Sequence, residues 1–224
     1  MRFVLASSGI NVKAVADKVI ELVGKPAKDI SCAVILEATA NSMNDKRWQI
    51  NGLTELAETI GGKISILNLQ VLSHDEVKKG LADVDFIYCF GGDTDYLKSI
   101  FDKTGFGDLL PELLKTKVWL GNSAGSMVMC NRRIEQDKYT LEKAGKLYGV
   151  KDYYAFADCN LYVHTGSDDH PRHKLETAIG ESMKVNRPVY ALSDDSALVI
   201  DGDEHYMIGK DCWKIENGEI KEVR

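Results

Sequence analysis

The segment GNSAG at residues 121–125 sets a serine midway between two glycines, with small side chains around it. That spacing suits a nucleophile, because flanking glycines let the backbone turn sharply and lift a hydroxyl out of a strand end for acyl transfer. Ser123 also has a plainer use, as a hydroxyl that caps a helix, and these five residues alone leave both uses open. A serine nucleophile needs a base, and imidazole is the side chain that titrates near neutral pH. Of His74, His164, His170, His173 and His205, only His164 follows a run read as a central strand, NLYV, downstream of the serine. GGDT at 91–94 forms a second glycine turn after DFIYCF; the amides of Gly92 and of Ala124 are the candidate donors to an oxyanion. No GK[ST] follows GGDT, so it does not read as a phosphate loop. His164, His170 and His173, with Asp168 and Asp169, carry metal-ligating groups, but neither HExxH nor another tight ligand spacing occurs. Neither a metal nor any other cofactor is expected.

Such residues work together only if strand ends carry them to one place. β-rich runs alternate with helical patterns: RFVLASS and a helix near 11–23, CAVILEAT and one near 45–60, KISILNL and one near 74–82. DFIYCFGG continues the series, followed by helices near 95–102 and 108–115, the strand VWLGNS, and a helix opening at about Ala124. Apolar runs between amphipathic helices imply an α/β layered domain whose mainly parallel sheet is covered on both faces. Beyond residue 158 come the strand NLYVHTG, a helix in PRHKLETAIGESMKV, and short strands VYALS, SALVID, HYMIG and WKIENGEIKEV. The turn pairs DG, GK and NG between the last of these predict an antiparallel β extension at the C-terminus. LSDDSALVI places Asp194 and Asp195 where they could reach the site from a later strand, but a turn role is the expectation for them. Residues 1–224 are expected to form one domain.

The chain has 224 residues, 44% of them hydrophobic and 28% charged, which suffices for one sizeable core. With 28 Lys and Arg against 34 Asp and Glu, the net charge is −6 and no basic stripe accumulates, so nucleic acid is not an expected partner. MRFVLASSGI lacks the form of a secretory signal, and no apolar run approaches the roughly 18 residues of a membrane span. The five cysteines are odd in number, widely spaced and free of CxxC pairs, as reduced buried thiols would be. A soluble cytoplasmic protein acting on a small substrate, as a monomer or homodimer, is the expectation.

Taken in order, the GG turn at a strand end, the GNSAG turn and the strand bearing His164 resemble peptidase family S51, which contains aspartyl dipeptidase (peptidase E) and cyanophycinase. The resemblance implies a flavodoxin-like sheet similar to that of class I glutamine amidotransferases, with serine in place of their cysteine. It implies Ser123 as nucleophile, His164 as general base, and Gly92 with Ala124 as oxyanion donors. At the family's spacing for the triad acid this chain has Lys138, so the resemblance points to the adjacent Asp137, with Glu135 and Glu142 as alternates. The peptidase E branch grips an N-terminal aspartate through a basic residue beyond the histidine, a place where this chain has Arg172. Asp168 and Asp169 lie in the same interval and would repel an acidic substrate or bind a free amino group. The expected activity is hydrolysis of short peptides through an acyl-enzyme. The same residues would equally serve an esterase or amidase, and a non-catalytic binding protein on this fold is the remaining alternative.

Overall fold

The computed structural model describes residues 1–131, 147–150 and 152–224. Five parallel strands, β1 (Arg2–Ala6), β2 (Cys32–Ile35), β3 (Ile64–Leu67), β4 (Phe86–Cys89) and β5 (Val118–Asn122), form the heart of a seven-stranded sheet in the order β3-β2-β4-β5-β1-β8-β9. Its last two strands, β8 (Ser196–Asp201) and β9 (Glu204–Gly209), run antiparallel. A second sheet of four strands has the order β11-β10-β7-β6. It comprises β6 (Asn160–Tyr162), β7 (Val189–Leu192), β10 (Cys212–Glu216) and β11 (Glu219–Val223).

Side chains alternate across a strand, and β1, β2, β4 and β5 are apolar at nearly every position, so both faces of the centre of the large sheet are buried. On one face Val4, Ala6, Val34, Phe86, Tyr88 and Leu120 pack against α1 (Lys13–Val23) and α2 (Arg47–Thr59). On the other, Phe3, Leu5, Ile35, Ile87 and Trp119 meet α3 (His74–Ala82), α4 (Thr94–Thr104) and α5 (Phe106–Thr116). The cluster on this second face also takes in Leu161, Val163, Tyr190 and Leu192 from the small sheet, so the two sheets share a core. Tyr162, Val189 and Ala191 point the opposite way, under α7 (Leu175–Ser182).

The layered α/β architecture and the antiparallel C-terminal strands agree with the sequence reading. Two details differ from it. The strand carrying His164 is not in the central sheet but pairs with β7 in the small one. The C-terminal strands do not form one extension either: β7 lies in the small sheet, β8 and β9 in the large, and β10 and β11 in the small again. The cause is burial on both sides: β8 completes the free edge beside β1, while β7 and β10 cover the adjoining apolar face. This weaving makes the Ser193–Asp195 turn a crossing point between sheets.

Candidate active site

Ser123 stands at the carboxyl end of β5, where the chain turns at once into α6 (Ala124–Met127). The turn is tight because the glycines leave no room for a side chain. A Cβ on Gly125 would fall 2.1 Å from the Cys89 carbonyl oxygen, and one on Gly121 would fall 2.5 Å from the Ser126 amide nitrogen. Backbone and side-chain bonds fix the turn to its neighbours: Ser123 N–H and the buried Ser126 hydroxyl both donate to the Ala6 carbonyl, at 3.0 and 2.8 Å. The Trp119 indole N–H donates to the Gly125 carbonyl at 3.0 Å. Ser123 itself has φ 48° and ψ −107°, outside the regions that L-residues favour. Its side chain makes no capping hydrogen bond, which removes the plain helix-cap use left open by the sequence.

The Ser123 Oγ instead meets His164 Nε2 at 3.0 Å. On the other side of the ring, Nδ1 lies 2.6 Å from Asp194 Oδ1. An ionised carboxylate can only accept, so Nδ1 carries the hydrogen and Nε2 keeps its lone pair toward the serine hydroxyl. His164 lies just past β6 with φ 59°, a left-handed conformation that costs an L-residue about 1–2 kcal/mol. Its ring is largely enclosed, with the side chain 14% exposed.

Asp194 sits in the crossing turn between β7 and β8, and it gathers donors. Besides His164, the hydroxyls of Ser7 and Ser8 donate to Oδ1 at 3.1 and 2.9 Å. Burial pushes the carboxyl up, but hydrogen bonds from His164, Ser167 and Ser8 outweigh burial and hold it well below the usual carboxylate range. Asp194 is therefore the carboxylate on the histidine's far nitrogen. Asp137, Glu135 and Glu142, to which the family spacing pointed, lie outside the described residues. A sequence signal for Asp194 existed only in LSDDS, a strand end among other strand ends. Ser7 and Ser8 had an equally faint one, as the ASSG that ends the first strand.

The GG turn borders the serine. A Cβ on Gly91 would lie 3.1 Å from Ser123 Cβ, and Gly92 has φ 139°, with the Ala38 carbonyl 2.3 Å from where a side chain would begin. Among the described residues, no carbonyl or side chain takes the amide hydrogens of Gly92 and Ala124. Asn41 closes this side of the site, donating to Asp93 at 3.1 Å and to the Tyr148 hydroxyl at 3.0 Å.

The segment after His164 folds back through a bond from Gly166 N–H to the His173 carbonyl, 2.7 Å. It carries His170 face to face with His164, ring centroids 4.1 Å apart and planes at 20°, and His173 stacks next at 5.1 Å from His170. His173 Nδ1–H donates to the Val163 carbonyl at 2.9 Å. Burial lowers the His170 pKa, and so do the neighbouring His164 and His173; burial also lowers that of His173. Stacked rings do not converge their nitrogens, and among the described residues no group of three or more His, Cys, Asp or Glu could hold a metal ion. Asp168, Asp169 and Arg172 are all exposed on this loop, Asp169 near enough to His170 to act on its charge. No hydrogen bond ties any of the three side chains to Ser123 or His164 among the described residues.

A separate cavity of about 370 Å³, lined by Asn131, Asn160, Met183 and Arg187 among others, opens at the start of β6, the other end of that strand from His164. Among the described residues no helix is long and apolar enough to cross a membrane.

Known proteins share this fold. A crystal structure of a candidate peptidase E from Listeria monocytogenes EGD-e superposes with a TM-score of 0.76 at 21% identity, covering 93% of this chain and 98% of that one. The crystal structure of a peptidase from an acI-B1 Actinobacterium gives a TM-score of 0.69 at 16% identity, over 99% and 93% of the two chains. In sequence, an uncharacterized peptidase of Pasteurella multocida is 23% identical over 174 residues, 76% of this chain and 82% of its own. An uncharacterized peptidase of Listeria monocytogenes is 25% identical over 170 residues, 74% of this chain and 80% of its own. The family model named Peptidase family S51 matches residues 3–208, from the first strand through the crossing turn to β9. A strained serine facing a histidine, on a fold shared with peptidases and within a match of that length, leads to one conclusion: the chain belongs to peptidase family S51 and is a serine-type peptidase.

Proposed function

We propose that the protein hydrolyses short peptides through the triad Ser123, His164 and Asp194. The observation that carries this reading is the pair of contacts on one imidazole, 3.0 Å to Ser123 Oγ and 2.6 Å to Asp194 Oδ1. In the first half-reaction Ser123 Oγ bonds to the scissile carbonyl carbon while its proton passes to His164 Nε2. The tetrahedral oxyanion forms against the amides of Gly92 and Ala124, and collapse expels the amine, which takes the proton from His164. Water then attacks the ester by the same route, with His164 again as base, and releases the acid and free Ser123. Asp194 stays ionised throughout and stabilises the imidazolium.

A preference for short substrates is supported by the loops around the serine: the Gly91–Asp93 turn held by Asn41 on one side, the His170 loop on the other. Arg172, Asp168 and Asp169 are exposed on the His170 loop, and on this reading the guanidinium binds a substrate carboxylate and the two acids a free amino group. Five free, buried cysteines suit a reducing cytoplasm.

Fluorophosphonate labelling tests the reading. Wild type is expected to be labelled, with labelling lost in Ser123→Ala and His164→Ala, and a panel of dipeptides including N-terminal Asp is expected to be cleaved. Failure of the folded wild type to label would overturn it in favour of a binding protein. Labelling with turnover of activated esters but of no dipeptide would replace it with an esterase.

A further inference from the structure

Ser7 is fully buried at the end of β1, yet its hydroxyl is committed to the site rather than to its own strand. It accepts a hydrogen bond from the backbone N–H of His164 at 2.9 Å and donates to Asp194 Oδ1 at 3.1 Å. The same oxygen lies 3.4 Å from His164 Nδ1. One atom of the central sheet thus touches the base's backbone, the base's ring and the acid that orients the ring. His164 needs such a hold because it leaves β6 in a left-handed conformation, and β6 belongs to the small sheet whereas Ser123 belongs to the large one.

We propose that Ser7 is a positioning residue that pins the His164 main chain to the central sheet and so sets the approach of Nε2 to Ser123. This rests on the serine-peptidase reading for its catalytic consequence, but the pin itself is independent of it. Ser8 supplies a natural control. Its hydroxyl donates to the same Asp194 oxygen at 2.9 Å but has no bond to the His164 amide. Among the described residues, the charged or titratable groups facing the His164 ring are Asp194 from the crossing turn and His170 and His173 from the loop beyond.

Two measurements on Ser7→Ala, Ser8→Ala and wild type decide the matter. Each variant takes one donor from Asp194. Only Ser7→Ala loses the pin. Its plateau labelling rate, taken where the rate no longer rises with pH, is expected to fall about 10- to 100-fold, as for a catalytic group displaced by a fraction of an ångström to an ångström, while Ser8→Ala, which keeps the pin, is expected to lose at least about fivefold less than Ser7→Ala. Hydrogen exchange at the His164 amide is expected to be slow in wild type and Ser8→Ala and at least about tenfold faster in Ser7→Ala. Ser7→Cys, which fills the space with a poorer acceptor, is expected to change in the same direction and serves if Ser7→Ala does not fold. Equal plateau rates in the two alanine variants, or unchanged exchange at His164, would overturn the proposal. If folded wild type does not label at all, the peptidase reading falls, and the exchange difference still decides the pin.

Discussion

Asp194 accepts from His164, Ser7 and Ser8 through a single oxygen, and that concentration of donors determines what its replacement does. Asp194→Asn keeps the shape but can present an amide hydrogen to Nδ1, favouring the tautomer whose Nε2 carries the hydrogen and cannot take a proton. A loss in kcat of about 10³- to 10⁴-fold is expected, measured on whichever peptide or ester the panel identifies, with binding of that substrate changed little. The histidine stack makes a second statement at this scale. A histidine held below its ordinary pKa binds fewer protons folded than unfolded, so stability is full above the unfolded value near 6.5 and declines as pH falls from there to the lowered folded value. Asp194 has a folded pKa below its unfolded one near 3.8, so its contribution is present above that value and is lost only as pH falls further. Thermal unfolding midpoints are thus expected to drop first as pH falls below about 6.5 and again below about pH 4. His170→Phe, which keeps a ring against His164 without a titrating nitrogen, is expected to shrink the first drop and leave the second; an unchanged first drop would contradict this.

At the scale of elements, the β5–α6 turn is specified by contacts at its glycines. Gly125→Ala would press a methyl into the Cys89 carbonyl of the neighbouring strand. Overpacking of that kind is expected to cost about 1–3 kcal/mol in urea unfolding and to abolish labelling by shifting Ser123. This is also why Ser123 and His164 could be picked out of the sequence as candidates: glycine spacing, strand and turn are local, and the histidine directly follows a β-rich run. The strands and helices of the large sheet were legible for the same reason, their apolar periods being complete within each segment. Asp194 could be noticed but not chosen, because its place beside His164 comes from β7 and β8 entering different sheets, a decision made by contacts far along the chain. Ser7 and Ser8 were read as the tail of a strand, since nothing near them in sequence shows what lies across the sheet.

For the whole molecule, the shared core is the governing feature. Leu161, Tyr190 and Leu192 of the small sheet pack in the same cluster as Phe3, Leu5 and Trp119 of the large one, so neither sheet can lose its partner without exposing its own apolar face. Trp119 reports on the large sheet and Trp213 on the small. In a Trp48→Phe background, single-tryptophan versions are expected to share one urea midpoint, and two separated midpoints would show that the sheets melt independently. The weaving of the C-terminal strands between sheets has a further consequence in time. In the order of synthesis Ser123 comes first, His164 41 residues later, and Asp194 a further 30 residues on, together with β8. For the proposed triad, the imidazole has no carboxylate to orient it until the crossing turn is made and β8 is paired, so activity is expected to appear in one late step rather than to grow with the chain.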